Sequence, residues 1–278
     1  MNQLLTESIN PKSRDIDLKS IPEILSVINE EDRIPQQAVK AALPEIARAV
    51  EAVEKSLRGR GRLIYYGAGT SGRIGVVDAA ECAPTYGIPA DRVFAVIAGG
   101  YGAMVKAAET AEDGFDDGVR SIIADQVGAD DVIIGLSASG STPFVTGALQ
   151  EARRRGAVTV GIVNNAAGTV IEAAEIRIVL LTGPEVITGS TRMKAATAQK
   201  MTVNMISTCA MIRLGRVTGN FMTAMRASNV KLRKRAEFIV SSVCCVPEDD
   251  AATVLKKNHY DIRESVSELR ERKKEKES

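Results

Sequence analysis

The sequence predicts an α/β protein: a doubly wound parallel sheet flanked by helices, with extra helices at the N-terminus and a small helical domain at the C-terminus. Three observations predict it. Short, almost continuously apolar runs at 62–66, 92–97, 131–136, 157–163 and 176–181 alternate with stretches of helical periodicity. Such runs mark strands buried on both faces of a parallel sheet. The first run passes directly into Gly67-Ala68-Gly69-Thr70-Ser71-Gly72-Arg73, a glycine-rich turn of the kind that joins a strand to a helix. Finally, 278 residues with 45% hydrophobic content suffice for one large α/β domain with appendages.

Composition narrows the function classes. Charged residues make up 26% of the chain and the formal net charge is +1, so neither a nucleic-acid surface nor a membrane surface is expected. No apolar run reaches the ~20 residues of a membrane span. The opening Met1-Asn2-Gln3-Leu4-Leu5-Thr6-Glu7 lacks the basic-then-apolar plan of a signal peptide. Cys82, Cys209, Cys244 and Cys245 form no C-x-x-C pair and read as reduced thiols in a cytoplasm. His259 is the single histidine, so no metal site is expected, and no cofactor.

Residues 1–54 read as an N-terminal arm followed by helices. The polar stretch 1–20 contains the turn signal Asn10-Pro11 and reads as extended. Ile21 to Asn29 reads as a short helix. Gln36 to Leu57 reads as one long amphipathic helix, with Val39, Leu43, Ile46, Val50 and Val53 on a single stripe. That stripe either packs on the main domain or builds a dimer interface. Residues 55–218 hold the alternating core. Residues 219–278 read as helical: 219–240, then an appendage over 244–268 starting at Pro247-Glu248-Asp249-Asp250, then a charged, frayed end.

In a doubly wound sheet, ligands bind beyond the carboxyl ends of the strands. After the first strand, Gly69, Thr70 and Ser71 place backbone N–H groups, two hydroxyls and a helix N-terminus together, a cradle for phosphate. Gly67-Ala68-Gly69-x-x-Gly72 also matches the dinucleotide fingerprint. That fold needs an acid after the second strand, where this chain has Ala98-Gly99-Gly100. A phosphomonoester is the better fit. After the third strand, Ser137, Ser139, Ser141 and Thr142 exceed the one hydroxyl that a cap requires, with Thr142 as N-cap and Pro143 first in the helix. After the fifth, Ser190 or Thr191 is expected to cap a helix running to about Leu214. Arg192 and Lys194 in its first turn oppose the helix dipole, which predicts an anion between them and the helix start.

Two carboxylate regions accompany these loops. Glu81 lies about three turns into the helix after the glycine loop. Its neighbours Ala79, Ala80, Cys82 and Ala83 are small and apolar, a setting that raises a carboxyl pKa. Glu109-Thr110-Ala111-Glu112-Asp113 ends a helix expected to begin near Tyr101. On spacing alone, a solvated acidic helix end explains it as well as function does.

Together these residues resemble a known family. Gly67 to Arg73 and Ala138-Ser139-Gly140 are similar to the sugar isomerase (SIS) fold. Gly183-Pro184-Glu185 through Gly189-Ser190-Thr191-Arg192-Met193-Lys194 resembles the stretch shared by N-acetylmuramic acid 6-phosphate etherases and the glucokinase regulatory protein. Leu4-x-Thr6-Glu7-x-x-Asn10-Pro11 and Asp78-Ala79-Ala80-Glu81-Cys82-x-Pro84-Thr85 resemble the etherase too. The likeness extends to a C-terminal region like ubiquitin-associated modules, here shorter. Two departures are Ser141, where the family commonly has arginine, and Ala83, where it has proline.

The resemblance implies cleavage of the D-lactyl ether of N-acetylmuramic acid 6-phosphate to N-acetylglucosamine 6-phosphate and D-lactate, in cell-wall recycling. It implies Glu81 and Glu112 as the catalytic pair, either able to be the acid or the base. It implies Gly69, Thr70, Ser71, Ser137, Ser139, Ser141 and Lys194 around the phosphosugar, in a homodimer in which Glu7 or Asn10 reaches a neighbouring site. A phosphosugar sensor and an aldose–ketose isomerase are the competing classes. The retained glutamates and the Gly183–Lys194 stretch favour the etherase.

Overall fold

The computed structural model describes residues 4–277, so the first three residues of the expected arm, and Ser278, lie outside the described residues. The core is a five-stranded, all-parallel sheet: β1 (Leu63–Gly67), β2 (Val93–Ile97), β3 (Val132–Ser137), β4 (Val158–Val163) and β5 (Ile176–Val179), in the order β2-β1-β3-β4-β5. All five expected strands are present; β5 stops two residues short of the expected end.

Side chains alternate across each strand, so one sheet feeds two cores. Leu63 and Tyr65 join Leu136, Val160 and Ile178 on one face. That face is covered by α3 (Leu43–Arg58), α4 (Gly69–Tyr86) and α8 (Lys194–Arg213). Ile64 and Tyr66 face the other way, against α5 (Phe115–Ala124), α6 (Pro143–Arg154) and α7 (Thr169–Ala173). The sheet is therefore doubly wound.

Several elements depart from expectation. The arm is not extended: it forms three 3₁₀ turns, Leu5–Glu7, Pro11–Ser13 and Ile16–Leu18, before α1 (Ile21–Glu31). The long helix expected over 36–57 is two, α2 (Ile34–Ala41) and α3, broken at Ala42. Pro44 explains the break, since it has no N–H for the ladder and its ring opposes the carbonyl four residues back. The helix expected from Tyr101 is replaced by two 3₁₀ turns, Tyr101–Met104 and Glu109–Asp113. Left-handed Gly99 and Gly100 end β2 there and send the chain back over the sheet end.

Residues 219–229, expected helical, are irregular. The C-terminal helices are α9 (Val230–Cys244), α10 (Glu248–Lys257) and α11 (Ile262–Glu277). They enclose a hydrophobic cluster of their own, including Ile239, Val240, Leu255 and Ile262.

Candidate functional site

The strand order reverses direction between β1 and β3, and a crevice opens at such a switch point beyond the strand ends. Gly67 pairs in register with Leu136, so the loops that follow these two strands lie side by side. Helix α4 begins at Gly69, so the glycine loop becomes its first turn. The close fold-back needs glycine: a Cβ on Gly67 would stand 2.7 Å from Gly72 N, and one on Gly72 would stand 2.7 Å from Gly67 O. Thr70 is half-buried and Ser71 buried in that first turn.

Across the crevice, Ser137 Oγ is buried, lies 2.7 Å from Thr142 Oγ1 and 3.3 Å from Ser139 Oγ, and accepts from Gly140 N at 3.0 Å. Thr142 is the N-cap of α6 by position, but its hydroxyl serves Ser137 rather than the helix. Ser141 is exposed and donates its N–H to Ser139 Oγ at 3.2 Å. The structure thus brings Ser137, Ser139 and Ser141 into one hydrogen-bonded loop beside Gly69, Thr70 and Ser71.

Lys194 stands apart. It opens α8 and is 1% exposed, with its ammonium on the Glu31 carboxylate. The anion that opposing cations predicted is therefore supplied by the protein. Burial works to raise the Glu31 pKa, but hydrogen bonds from Lys194, Lys12 and Asn10 outweigh it and hold the carboxyl at about 2. The expected Ser190 or Thr191 cap is also replaced. Buried Glu185 accepts from Lys194 N at 3.0 Å and Ala195 N at 2.9 Å, satisfying two orphan donors of α8. A cavity of about 340 Å³ beside this cluster is lined by Asn10, Lys12, Glu31, Thr182, Gly183 and Lys194 among others.

The arm is bound to its own chain. Asn165 Oδ1 accepts from Leu5 N at 2.7 Å, while Asn165 Nδ2 donates to the carbonyls of Ala138 and Ser139 at 3.0 and 3.2 Å. One side chain therefore ties the arm to the serine loop. Asn10, expected at a neighbour's site, is instead buried against its own Glu31 and Pro184 O. Glu7 lies beside Gly189, where an added Cβ would be 3.0 Å from Glu7 Oε2.

The two glutamates occupy different settings. Glu112 sits on the second 3₁₀ turn near the end of β2, where Ala108 and Ala111 of the same segment pack over Gly99. The residue is exposed, yet partial desolvation of its carboxyl, with the charges of Asp113 and Glu109, raises its pKa. Glu81 is exposed on α4, contrary to the apolar setting expected for it. Its backbone is about 18 Å along the helix from Gly69, at 1.5 Å per residue. The buried acid of α4 is Asp78, which accepts from Tyr65 Oη at 2.7 Å and Ser207 Oγ at 3.0 Å. Desolvation pushes its pKa up to about 6. Sequence reading passed over Asp78, Glu31, Glu185 and Asn165. Nothing in their local spacing announces partners 9 to 163 residues away.

Among the described residues, no group of three His, Cys, Asp or Glu side chains could hold a metal, and no helix is long and apolar enough to cross a membrane.

Comparison with known proteins decides the family. The chain is 44% identical over 266 residues to N-acetylmuramic acid 6-phosphate etherases of Salmonella typhi and Salmonella typhimurium, covering 96% of this chain and 90% of theirs. The chain belongs to the N-acetylmuramic acid 6-phosphate etherase family. Residues 45–153 match the glucokinase regulatory protein N-terminal SIS domain, and residues 104–208 match the SIS domain. A putative phosphosugar isomerase involved in capsule formation from Bacteroides fragilis shares the fold with TM-score 0.55 and 17% identity, covering 73% of this chain and 97% of its own. A putative sugar-phosphate isomerase from Listeria monocytogenes does so with TM-score 0.51 and 15% identity, covering 71% and 93%.

Proposed function

We propose that this chain cleaves the D-lactyl ether of N-acetylmuramic acid 6-phosphate, giving N-acetylglucosamine 6-phosphate and D-lactate in the recycling of cell-wall sugars. The observation that carries this reading is 44% identity to the etherases over 96% of the chain. The paired loops at the β1/β3 switch point add a cradle suited to the 6-phosphate, with Gly69, Thr70 and Ser71 on one side and Ser137, Ser139 and Ser141 on the other. Lys194 enters from the arm side, and a phosphate there shares its ammonium with Glu31.

The chemistry is a β-elimination followed by hydration. In the ring-opened sugar, C2 lies next to the aldehyde, so a carboxylate can remove its proton. The electron pair forms the C2–C3 double bond as the C3–O bond breaks. A carboxylic acid protonates the departing lactate oxygen. Water then adds at C3 and a proton returns to C2. In this reading Glu81 protonates the leaving group and later deprotonates water, and Glu112 serves C2 or orients the sugar. Desolvation and the charges of Asp113 and Glu109 raise the Glu112 pKa, which makes its carboxylate a stronger base than a free one.

Glu81 is exposed, and its backbone lies about 18 Å along α4 from the start of the glycine loop, which supports a homodimer in which one copy completes the other's site. Val77, 54% exposed, lies one turn earlier on the same helix. An apolar groove of about 870 Å³ between α3 and α8, lined by Leu43, Ile46, Val50, Met201, Met205 and Ile212 among others, supports the same assembly. The reading places 1–54 as arm and helices, 55–218 as the SIS domain and 219–278 as a ubiquitin-associated-like region. Four free cysteines fit a cytoplasmic enzyme.

Incubation of purified protein with N-acetylmuramic acid 6-phosphate tests the activity. D-lactate is expected without added metal or nicotinamide, and with chelator present. No lactate would leave the phosphosugar-sensor reading in its place.

A further inference from the structure

A cavity of about 480 Å³ lies at the opposite end of α4 from the crevice, where the C-terminal helices meet the core. Its lining includes Gly87, Arg216, Arg226, His259, Asp261 and Arg263. Arg216 Nη1 donates to the last carbonyls of α4, Tyr86 O at 3.2 Å and Gly87 O at 3.3 Å. Arg263 Nη2 donates to Gly215 O at 2.5 Å. Among the described residues, none of the three arginines has a carboxylate partner, and the Arg226 guanidinium makes no hydrogen bond, its only bond being the backbone carbonyl that accepts from Ser228 N at 3.0 Å. Several arginines elsewhere are neutralised, Arg62 by Asp131, Arg154 and Arg155 by Glu151, Arg58 and Arg213 by Glu54, while others such as Arg73 and Arg92 spend their N–H groups on two or three carbonyls.

The one acid on the lining, Asp261, accepts from Glu264 N at 2.9 Å through Oδ1. Three guanidinium groups thus share a cavity with one carboxylate already engaged on a helix end. Desolvation, then repulsion from Arg263 and from nearby Arg92, holds the Arg216 pKa below its ordinary value. Arg226 and Arg263 are exposed and Arg216 is half-buried; like charges gathered in one cavity repel unless an anion lies among them, and the single carboxylate of Asp261 leaves the three under-neutralised. Guanidinium forks with unused N–H groups match carboxylate and phosphate oxygens bidentately, and three of them around one cavity suit an anion that offers three acceptor oxygens, as a phosphate does.

We propose that this cavity is a second oxyanion site, separate from the glycine and serine loops, that takes a phosphomonoester or free phosphate. The ligand bridges Arg226 and Arg263 of the C-terminal region to Arg216 on the core. Since Arg216 holds the end of α4, the site ties the C-terminal helices to the helix that carries Glu81. The proposal does not depend on the etherase activity.

Calorimetric titration of the full chain with inorganic phosphate tests it, using three proteins: wild type, the loop variant Ser71→Ala/Ser139→Ala, and Arg226→Glu. The Arg226 side chain makes no hydrogen bond in the structure, so its replacement removes charge without removing a side-chain contact of that kind; Arg226→Ala is the milder alternative if the charge reversal disturbs folding. The loop variant is expected to retain a phosphate-binding event. Arg226→Glu is expected to weaken that event by on the order of tenfold or more, about 1.4 kcal/mol per factor of ten, while keeping the loop event. In the loop variant, tighter binding of a hexose 6-phosphate than of inorganic phosphate assigns the site to phosphomonoesters, and equal binding assigns it to free phosphate. Absence of binding to the loop variant at millimolar phosphate, or binding unchanged by both Arg226 replacements, overturns the proposal. Neither result touches lactate release.

Discussion

At the scale of single residues, Asp78 and Glu81 show how one helix gives two carboxylates opposite surroundings. Asp78 faces the sheet and is 8% exposed, under Tyr65 and Ser207, while Glu81, three positions on, faces outward. Glu81→Gln keeps the shape and loses the proton. Lactate release is expected to fall by about 10²–10⁴-fold, the usual weight of general acid–base work, with phosphosugar binding retained. Glu112→Gln is also expected to slow turnover. Exchange of the C2 hydrogen with deuterated water separates the roles: it should survive in Glu81→Gln and vanish in Glu112→Gln. The reverse pattern exchanges the assignments, and wild-type turnover in both mutants removes the pair.

Asp78 has its own pH signature. Its pKa is raised from 3.8 to about 6 in the folded protein. It therefore favours the folded state fully below the unfolded value, and that contribution fades as pH rises through the folded one. Two units correspond to roughly 3 kcal/mol. Asp78→Asn removes this dependence. Urea denaturation at pH 5 and pH 8 should find the mutant more stable relative to wild type at pH 8 than at pH 5. A difference independent of pH would show that Asp78 is ionised throughout.

At the scale of elements, helix α8 starts on borrowed charge. Its first N–H groups end on Glu185, and its first side chain, Lys194, ends on Glu31 of α1. Both acids are buried. Glu185→Ala leaves two backbone donors unpaired, expected to destabilise by about 1–3 kcal/mol per uncompensated group. Glu31→Ala leaves the Lys194 ammonium, 1% exposed, without its counter-charge, expected to cost about 3–5 kcal/mol. Denaturant midpoints compare the two. If Glu31→Ala is the milder change, Lys194 is finding water or another anion, and the cavity beside it is wetter than its packing indicates.

At the scale of the whole molecule, the open question is how far the crevice extends beyond one chain. Wild type is expected to run as a dimer by light scattering at micromolar concentration. Met205→Glu in the α3/α8 groove, at a side chain 39% exposed, should shift it toward monomer and lower activity together. Mixing inactive Glu81→Gln with an inactive Ser71→Ala/Ser139→Ala partner should restore part of the activity if sites are shared. A fully active monomer, or mixing without recovery, removes the shared site.

What the chain reveals by itself is what short-range pattern can carry. The apolar runs that became β1 to β5 are strings of residues that only a sheet buried on both faces can hide, so strand number, parallel pairing and the crevice at the strand ends follow from them. Gly67, Gly69 and Gly72 announce their turn because backbone must approach backbone there, and the serine loop announces itself by carrying more hydroxyls than a cap requires. The helix break at Ala42 is equally local, since Pro44 carries it even though the apolar stripe from Val39 to Val53 runs on across the break. Other features were decided only in three dimensions. That Lys194 meets Glu31, that Asp78 rather than Glu81 is the buried acid of α4, and that three arginines converge at its far end all depend on side chains distant in sequence, while Glu185 reaches the start of α8 across an irregular loop of nine or ten residues whose path no periodicity gives. A carboxylate's pKa and an arginine's partner are set by what desolvates and faces them, and those neighbours are chosen by packing across the sheet rather than by the residues on either side.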